Sequence, residues 1–231
     1  MAGSPPNTAH ASQYRELMWQ VIVPVKDWDA AKSRLRLPAS DRRALAQAMA
    51  LDTISAVMGC ALVSHVTVLT TPTSASPGTQ VPAAAAYGDV DLVLTQPVEL
   101  TGLQSGLEWA ARQLDADGPL VVVVADLPAL TSEHLGTALA AADQLPAAMV
   151  VDRHGVGTTV LTAASLQSFR PAFGARSARA HREQHVTTLD LSRMCPTVAC
   201  DVDTLADLAY ARALGLGPLT ERIDASLGSP T

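Results

Sequence analysis

Leu120-Val121-Val122-Val123-Val124-Ala125-Asp126-Leu127-Pro128 decides the fold. An unbroken apolar run ending in four valines suits a central strand buried on both faces, because a strand with one face in water would alternate apolar with polar residues. Working outward, further short β-branched runs lie at Gln20–Val25, Val66–Thr70, Asp91–Leu94, Ala148–Val151, Thr159–Thr162 and Val186–Leu189, with a weaker one at Val198–Cys200. Between them the apolar spacing is helical. Asp41–Met58 carries Leu51, Ile54 and Met58 at helical intervals behind a Ser40 cap, and Leu103–Leu114 and Thr131–Leu145 follow the same pattern. Thr204 and Asp207 form a capping box for a helix reaching Leu214, closed by Gly215 and Gly217-Pro218. The alternation predicts an α/β fold with a mostly parallel central sheet covered by helices on both faces.

At 231 residues, the chain has the length of one α/β domain. The expected division is a disordered lead-in over 1–18, a single domain over 19–218 and a tail over 219–231. Only 3% of residues are aromatic and the net charge is −6, which argues against an aromatic stacking surface and against general nucleic-acid binding. The longest strongly apolar stretch is far below the ~20 residues that span a bilayer. Neither a signal peptide nor a membrane partner is expected. Three cysteines, Cys60, Cys195 and Cys200, are too few and odd in number for a disulfide framework and point to a reducing cytoplasm. Cys195 and Cys200 suit core positions better than a redox pair.

Ligands of such sheets lie beyond the carboxyl ends of the strands, so the residues after each run carry the functional information. After the first strand, Pro24–Arg36 holds four bases and two acids, and 11 of the 16 bases fall in two stretches, Lys26–Arg43 and Arg170–Arg193. Two cationic islands on an acidic chain predict two anionic ligand groups. Asp126 ends the central strand, and Asp201 and Asp203 sit two apart near the carboxyl terminus, where an extended segment points both to one side. Convergence of the three would offer hard oxygen ligands to a cation such as Mg²⁺. Gly155-Val156-Gly157-Thr158 lets backbone amides approach an anion, and Phe173-Gly174-Ala175-Arg176-Ser177 opens a helix whose first amides and Ser177 hydroxyl could hold a phosphate.

Other chemistries are disfavoured. The glycine turn lacks the third glycine of a dinucleotide fingerprint, and neither a Gly-Lys-Ser/Thr phosphate loop nor a Gly-x-Ser-x-Gly elbow occurs. His181 and His185 are four apart, but Glu183 stands midway between them, unlike the His-Glu-x-x-His zinc motif. A solvated basic helix is the expected reading there.

Val23-Pro24-Val25-Lys26 with Ala31-Lys32-Ser33-Arg34-Leu35, Ala125-Asp126-Leu127-Pro128, Gly157-Thr158, Phe173-Gly174 with Ser177, and Cys200-Asp201-Val202-Asp203-Thr204 occur in this order. Together they resemble the phosphoenolpyruvate / 2-phospho-L-lactate guanylyltransferase family of coenzyme F-420 biosynthesis. The match runs from about Gln20 to Pro218, and its strength lies in five elements in register, since the Asp-Leu-Pro turn alone occurs across nucleotidyltransferases. The resemblance implies a Rossmann-like three-layer nucleotidyltransferase fold. It implies that GMP from GTP is joined to a phosphorylated three-carbon acid, with release of pyrophosphate. It further implies that Asp126, Asp201 and Asp203 hold two Mg²⁺ ions, that Thr158, Gly174 and Ser177 bind the acid, and that Lys26, Lys32 and Arg34 face the triphosphate. Gln104, in Gly102–Leu107, matches a nucleotide-contacting stretch where relatives usually carry Asn.

Thr159 replaces the Asn of archaeal relatives, which favours phosphoenolpyruvate over 2-phospho-L-lactate and 3-phosphoglycerate. The product would be enolpyruvyl-diphospho-guanosine. A substrate phosphate is already an anionic nucleophile, so no side-chain base is required. The alternatives are a related nucleotidyltransferase with another acceptor, such as a molybdenum-cofactor precursor, and a catalytically silent nucleotide-binding module. Beyond GTP and the acid, a homodimer or a transient contact with the next pathway enzyme is left open as the partner.

Overall fold

Leu120–Val123 forms strand β4, and all four of its side chains are buried. Val121 and Val123 enter one hydrophobic cluster, whereas Leu120 and Val122 enter another on the opposite face. Each such side chain removed from water stabilises the fold by roughly 1.5–3 kcal/mol. The structure is a computed structural model that describes residues 18–25, 32–71, 84–114 and 118–227.

In chain order the other principal elements are β1 (Trp19–Val25), α1 (Ala39–Met58), β2 (Val63–Thr70), β3 (Leu92–Thr95), α2 (Leu103–Ala111), α3 (Ser132–Ala142), β5 (Ala147–Val151), β6 (Thr158–Ala163), α4 (Ser177–Glu183), β7 (Thr187–Thr188), α5 (Leu205–Leu214) and α6 (Pro218–Leu227). They build one seven-stranded sheet in the order β3-β2-β1-β4-β6-β5-β7. β1 pairs in parallel with β2 and β4, and β2 with β3. β6 runs antiparallel to both β4 and β5. Its first residue, Thr158, therefore stands at the edge where β4 and β5 end.

The turn after β4 is clamped from α1. Thr53 Oγ1 donates to the Met49 carbonyl at 2.8 Å and accepts the Leu127 amide at 3.1 Å. The Pro128 carbonyl accepts the Gly217 amide at 2.7 Å, so the start of α6 braces the same turn. Among the described residues, no helix is long and apolar enough to cross a membrane. All three cysteines are free and buried.

Several expectations need correction. Ser40 does not cap α1: the helix begins earlier, with Pro38 at its cap position, and the Ser40 hydroxyl bonds Asp41. Met58 is exposed, and the inward face of α1 is instead set by residues such as Leu45, Met49, Ile54 and Val57. The weak strand at Val198–Cys200 is a 3₁₀ turn over Pro196–Ala199. Pro196 has no amide for a ladder, and the Val198 and Ala199 carbonyls accept from the Thr159 hydroxyl at 2.6 Å and the Arg153 amide at 2.8 Å. Residues 219–227 are no tail but most of α6. That helix lays Ile223 and Leu227 onto a cluster that includes Leu45 and Met49 of α1, and its start is fixed by Asp52, a buried carboxylate of α1 that accepts the Leu219 and Thr220 amides at 3.1 and 2.7 Å. Such a cap satisfies donors that a helix start otherwise leaves open.

Asp52→Ala should therefore lower the unfolding free energy by about 1–2 kcal/mol. Urea denaturation checks this, and an unchanged midpoint would show that α6 is held by packing alone.

Candidate active site

The carboxyl ends of β1, β4 and β5 and the start of β6 face one open cleft of about 990 Å³. Asp126 follows β4 and reaches it directly. Asp201 and Asp203 arrive by a hydrogen bond that periodicity does not reveal: the Val202 amide donates to the Asp126 carbonyl at 3.0 Å. Residues two apart in an extended segment face the same side, so Asp201 and Asp203 flank that bond and both line the cleft.

Lys32 lies between the acids. Its Nζ donates to Asp126 Oδ2 at 2.5 Å and to Asp203 Oδ1 at 3.2 Å, with only 8% of the side chain exposed. Burial alone would lower its pKa, but the two carboxylates outweigh that and hold the ammonium above its ordinary value. Arg34 reaches Asp203 at 3.4 Å from solvent, an exposed pair that adds little stability. Asp201 is the strained member. Burial, then the nearby charges of Asp126, Asp152 and Asp203, push its carboxyl up to about 7, opposed only in part by Lys32. Its Oδ1 is buried with no hydrogen-bond partner.

Asp152 is a fourth carboxylate on this cleft, and it belongs among the residues the sequence reading missed. It stands immediately after the run ending at Val151, the position the strand-end rule marks as informative. Its oxygens accept the Val156 and Gly157 amides at 2.9 and 2.6 Å. The glycine turn is thus not an open anion cradle, because an internal carboxylate already occupies its amides. Gly157 is required for this approach: a Cβ there would lie 2.5 Å from Asp152 Oδ2.

At the other end of the cleft stand Thr158, Gly174 and Ser177, brought together as expected. Gly174 has φ +144°, which side-chain-bearing residues rarely adopt, and space for a Cβ is open beside it. The helix behind it is only Ser177–Glu183, and the Ser177 amide is engaged by the Gly174 carbonyl at 3.2 Å. The first amides of this helix are therefore not free for the expected phosphate grip: those of Ser177, Ala178 and Arg179 bond the Gly174, Val156 and Arg176 carbonyls. His181 of α4 is fully buried, in contrast to the expected solvated basic helix, with Nδ1 2.9 Å from Thr158 Oγ1 and Nε2 accepting the Ala172 amide at 2.9 Å.

The second cationic island disperses. Arg176 lines the cleft, whereas Arg179 pairs with Glu183 at 2.8 Å and Arg170 turns to the Phe169 carbonyl. Gln104 lines the cleft from α2, and its amide donates across to the Phe173 carbonyl at 3.3 Å. Thr159 is buried and spends its hydroxyl on the Val198 carbonyl. Lys26 lies outside the described residues.

Among the described residues no three carboxylates, imidazoles or thiols converge at metal-binding distance. Lys32 instead fills the position between Asp126 and Asp203. The donor set nonetheless fits a hard divalent ion: all ligands are carboxylate oxygens, one of them buried and unpartnered, in a cluster whose mutual repulsion a cation would relieve.

A mostly parallel sheet with one reversed strand, carrying carboxylates and a lysine on the strand ends of an open cleft, is the architecture of a nucleotidyltransferase. Its shape is shared with a nucleotidyl transferase from Methanothermobacter (TM-score 0.57, 15% identity, covering 85% of this chain and 97% of that one). It is also shared with the 4-diphosphocytidyl-2C-methyl-D-erythritol synthase of Anaerococcus prevotii (TM-score 0.52, 10% identity, covering 86% and 96%). Closer relationship comes from sequence: residues 19–209 match the model of the family "Guanylyl transferase CofC like", and the chain belongs to that family. The phosphoenolpyruvate guanylyltransferase of Streptomyces coelicolor is 40% identical over 91% of this chain and 98% of its own length. That of Mycolicibacterium smegmatis is 38% identical over 87% of each.

Burial lowers the pKa of His181 from 6.5 to about 4. Between those values the unfolded chain binds a proton that the folded chain refuses, so this residue makes stability fall as pH drops through that window. Comparing urea midpoints from about pH 7 to about pH 5, His181→Phe should show a shallower loss than the parent protein. Parallel slopes would show that the ring is protonated in the folded state.

Proposed function

We propose that the protein joins the guanylyl group of GTP to phosphoenolpyruvate and releases pyrophosphate, with divalent metal held at Asp126, Asp201 and Asp203. The observation that carries this reading is the polarity of the cleft. Carboxylates and Lys32 occupy one end, and hydroxyls with a glycine turn the other. Such a cleft suits two anionic substrates meeting at a cationic centre.

In the transfer, an oxygen of the acceptor's phosphate attacks the α-phosphorus of GTP. A new P–O bond forms as the bond to the β-phosphate oxygen breaks, and the electron pair leaves with pyrophosphate. No proton has to be removed from the nucleophile, so no general base is assigned. Bound divalent metal would neutralise phosphate charge and stabilise the departing pyrophosphate. Lys32, fixed between Asp126 and Asp203, supplies a point charge beside the triphosphate, and the exposed Arg34 supplies a planar guanidinium. Thr158, the Gly174 turn and Ser177 orient the acid, and Gln104 links the nucleotide side to the acid loop. Lys26, in the segment preceding Lys32, is assigned to the same triphosphate.

Phosphoenolpyruvate is preferred over 2-phospho-L-lactate because the relatives named above carry its name. Thr159 does not support that preference by contact, since its hydroxyl is committed to the Val198 carbonyl.

Incubation with GTP, Mg²⁺ and each candidate acid, followed by product masses, tests the reaction. Enolpyruvyl-diphospho-guanosine is the expected product, and its absence beside an active preparation with another acid would reassign the acceptor. Asp126→Ala and Asp203→Ala should each reduce pyrophosphate release by about a hundredfold or more while preserving the fold. Near-normal rates at saturating Mg²⁺ would remove the metal assignment.

The acceptor end makes its own prediction. Gly174→Val should be more damaging than Ser177→Ala, because a β-branched residue resists the required φ and its side chain enters the cleft. Ser177→Ala removes one hydrogen bond to a charged group, roughly 1.5–3 kcal/mol. Both should raise the KM for the acid and leave that for GTP nearly unchanged. Normal acid binding by Gly174→Val in calorimetry would return the glycine to an ordinary turn.

A further inference from the structure

α4 exposes Arg179 and Arg182 but turns His181 fully inward. The Ala172 amide can only donate, so Nε2, 2.9 Å away, must carry a lone pair. In a neutral ring the proton is then on Nδ1. Nδ1 stands 2.9 Å from Thr158 Oγ1 and is the donor in that contact. One lone pair of the hydroxyl is thereby engaged and its own proton left over. Its remaining neighbour is the Met149 thioether at 3.8 Å, a weak acceptor. Thr158 nevertheless lines the cleft.

The same ring meets Phe173 edge-on, with centroids 5.3 Å apart and planes at 79°. His181 also follows Ser177 by one helical turn on α4. One side chain thus touches β6 through Thr158 and the acid loop through Ala172 and Phe173, and shares a helix with Ser177. These are the three places at which the acceptor end is built.

We propose that His181 is the positioning residue of the acceptor end, directing the Thr158 hydroxyl proton towards an anionic oxygen of the acid and holding the Ala172–Gly174 backbone against β6. This rests on the reading of that end as the binding place of a phosphorylated acid. Burial keeps the imidazole neutral at physiological pH, and neutrality matters to the arrangement. A protonated ring would present a donor to the Ala172 amide and break the tether.

Two readouts test the inference. Nitrogen-15 NMR of the imidazole, with the signal identified by its loss in His181→Asn, should show Nδ1 protonated and Nε2 bare. The opposite tautomer overturns the proposal before any substrate is added.

In steady-state kinetics with GTP and phosphoenolpyruvate, His181→Phe keeps an aromatic ring but neither hydrogen bond. It should raise the KM for the acid about tenfold while changing that for GTP by less than about twofold. His181→Asn retains a donor near the Nδ1 position and should recover part of the loss. Thr158→Val should resemble His181→Phe, and the double variant should be no worse than the more damaged single one.

Equal rises in both KM values, or additive losses in the double variant, would assign His181 to the core alone. If His181→Phe does not fold, His181→Asn and the tautomer decide. A parent protein that releases no pyrophosphate with any acid removes the functional reading itself. An active parent with an unselective His181→Phe removes only this inference.

Discussion

A single backbone hydrogen bond, from the Val202 amide to the Asp126 carbonyl, sets the terms for the rest of the site. It places Asp201 and Asp203 beside Asp126, and the cost is electrostatic. Burial first, and the like charges of Asp126, Asp152 and Asp203 after it, disfavour ionisation of Asp201 and raise its pKa. Lys32 relieves part of that repulsion by bridging Asp126 and Asp203. The cluster is therefore a place where cationic charge is stabilising, whether the cation is an ammonium or a metal ion. The clamp of Thr53 on Leu127 matters for the same reason, since it fixes the turn from which the Asp126 carbonyl presents itself.

Much of this was legible in the chain. The unbroken valine run read correctly as a strand buried on both faces, and Asp126 followed from it as an edge residue. Thr158 was legible as part of a motif, but its position was not: a rule that looks after strand ends overlooks the start of an antiparallel strand, and only the pairing of β6 with β4 shows the reversal. Asp152 obeys the rule, but in sequence a lone carboxylate beside a glycine turn looks the same as an ordinary turn former, and only the structure sets it on the cleft. The inward His181 was hidden by its setting. Arginines and a glutamate surround it in sequence, and only the tertiary contacts with Thr158, Ala172 and Phe173 explain its burial.

The two ends of the cleft differ in kind. At the acidic end, long flexible side chains meet across large sequence separations, and charge balance governs the arrangement. At the other end, the Thr158 hydroxyl and the Ala172 backbone are held by neutral hydrogen bonds to a buried ring, so geometry governs it. Gln104 of α2 also joins this end by donating to the Phe173 carbonyl. The capping box of Thr204 and Asp207 adds a rigid boundary just beyond Asp203. Asp207 is pushed up by burial, yet hydrogen bonds from Arg153, His154 and Thr204 outweigh this and hold it below the usual carboxylate range.

The Lys32 bridge also bears on how the molecule assembles in time. It joins residues 94 and 171 positions apart, and contacts of such separation carry the loop-closure entropy that slows folding. Helices such as α1 can form from neighbouring residues, but the acidic end exists only once β1, β4 and the segment before α5 have all met. During synthesis, the ribosome must release Asp203 before this ion pair can close, long after the first strand has emerged. The acidic end of the cleft is consequently a late product of folding, and an incomplete chain carries its individual charges without the cluster they form together.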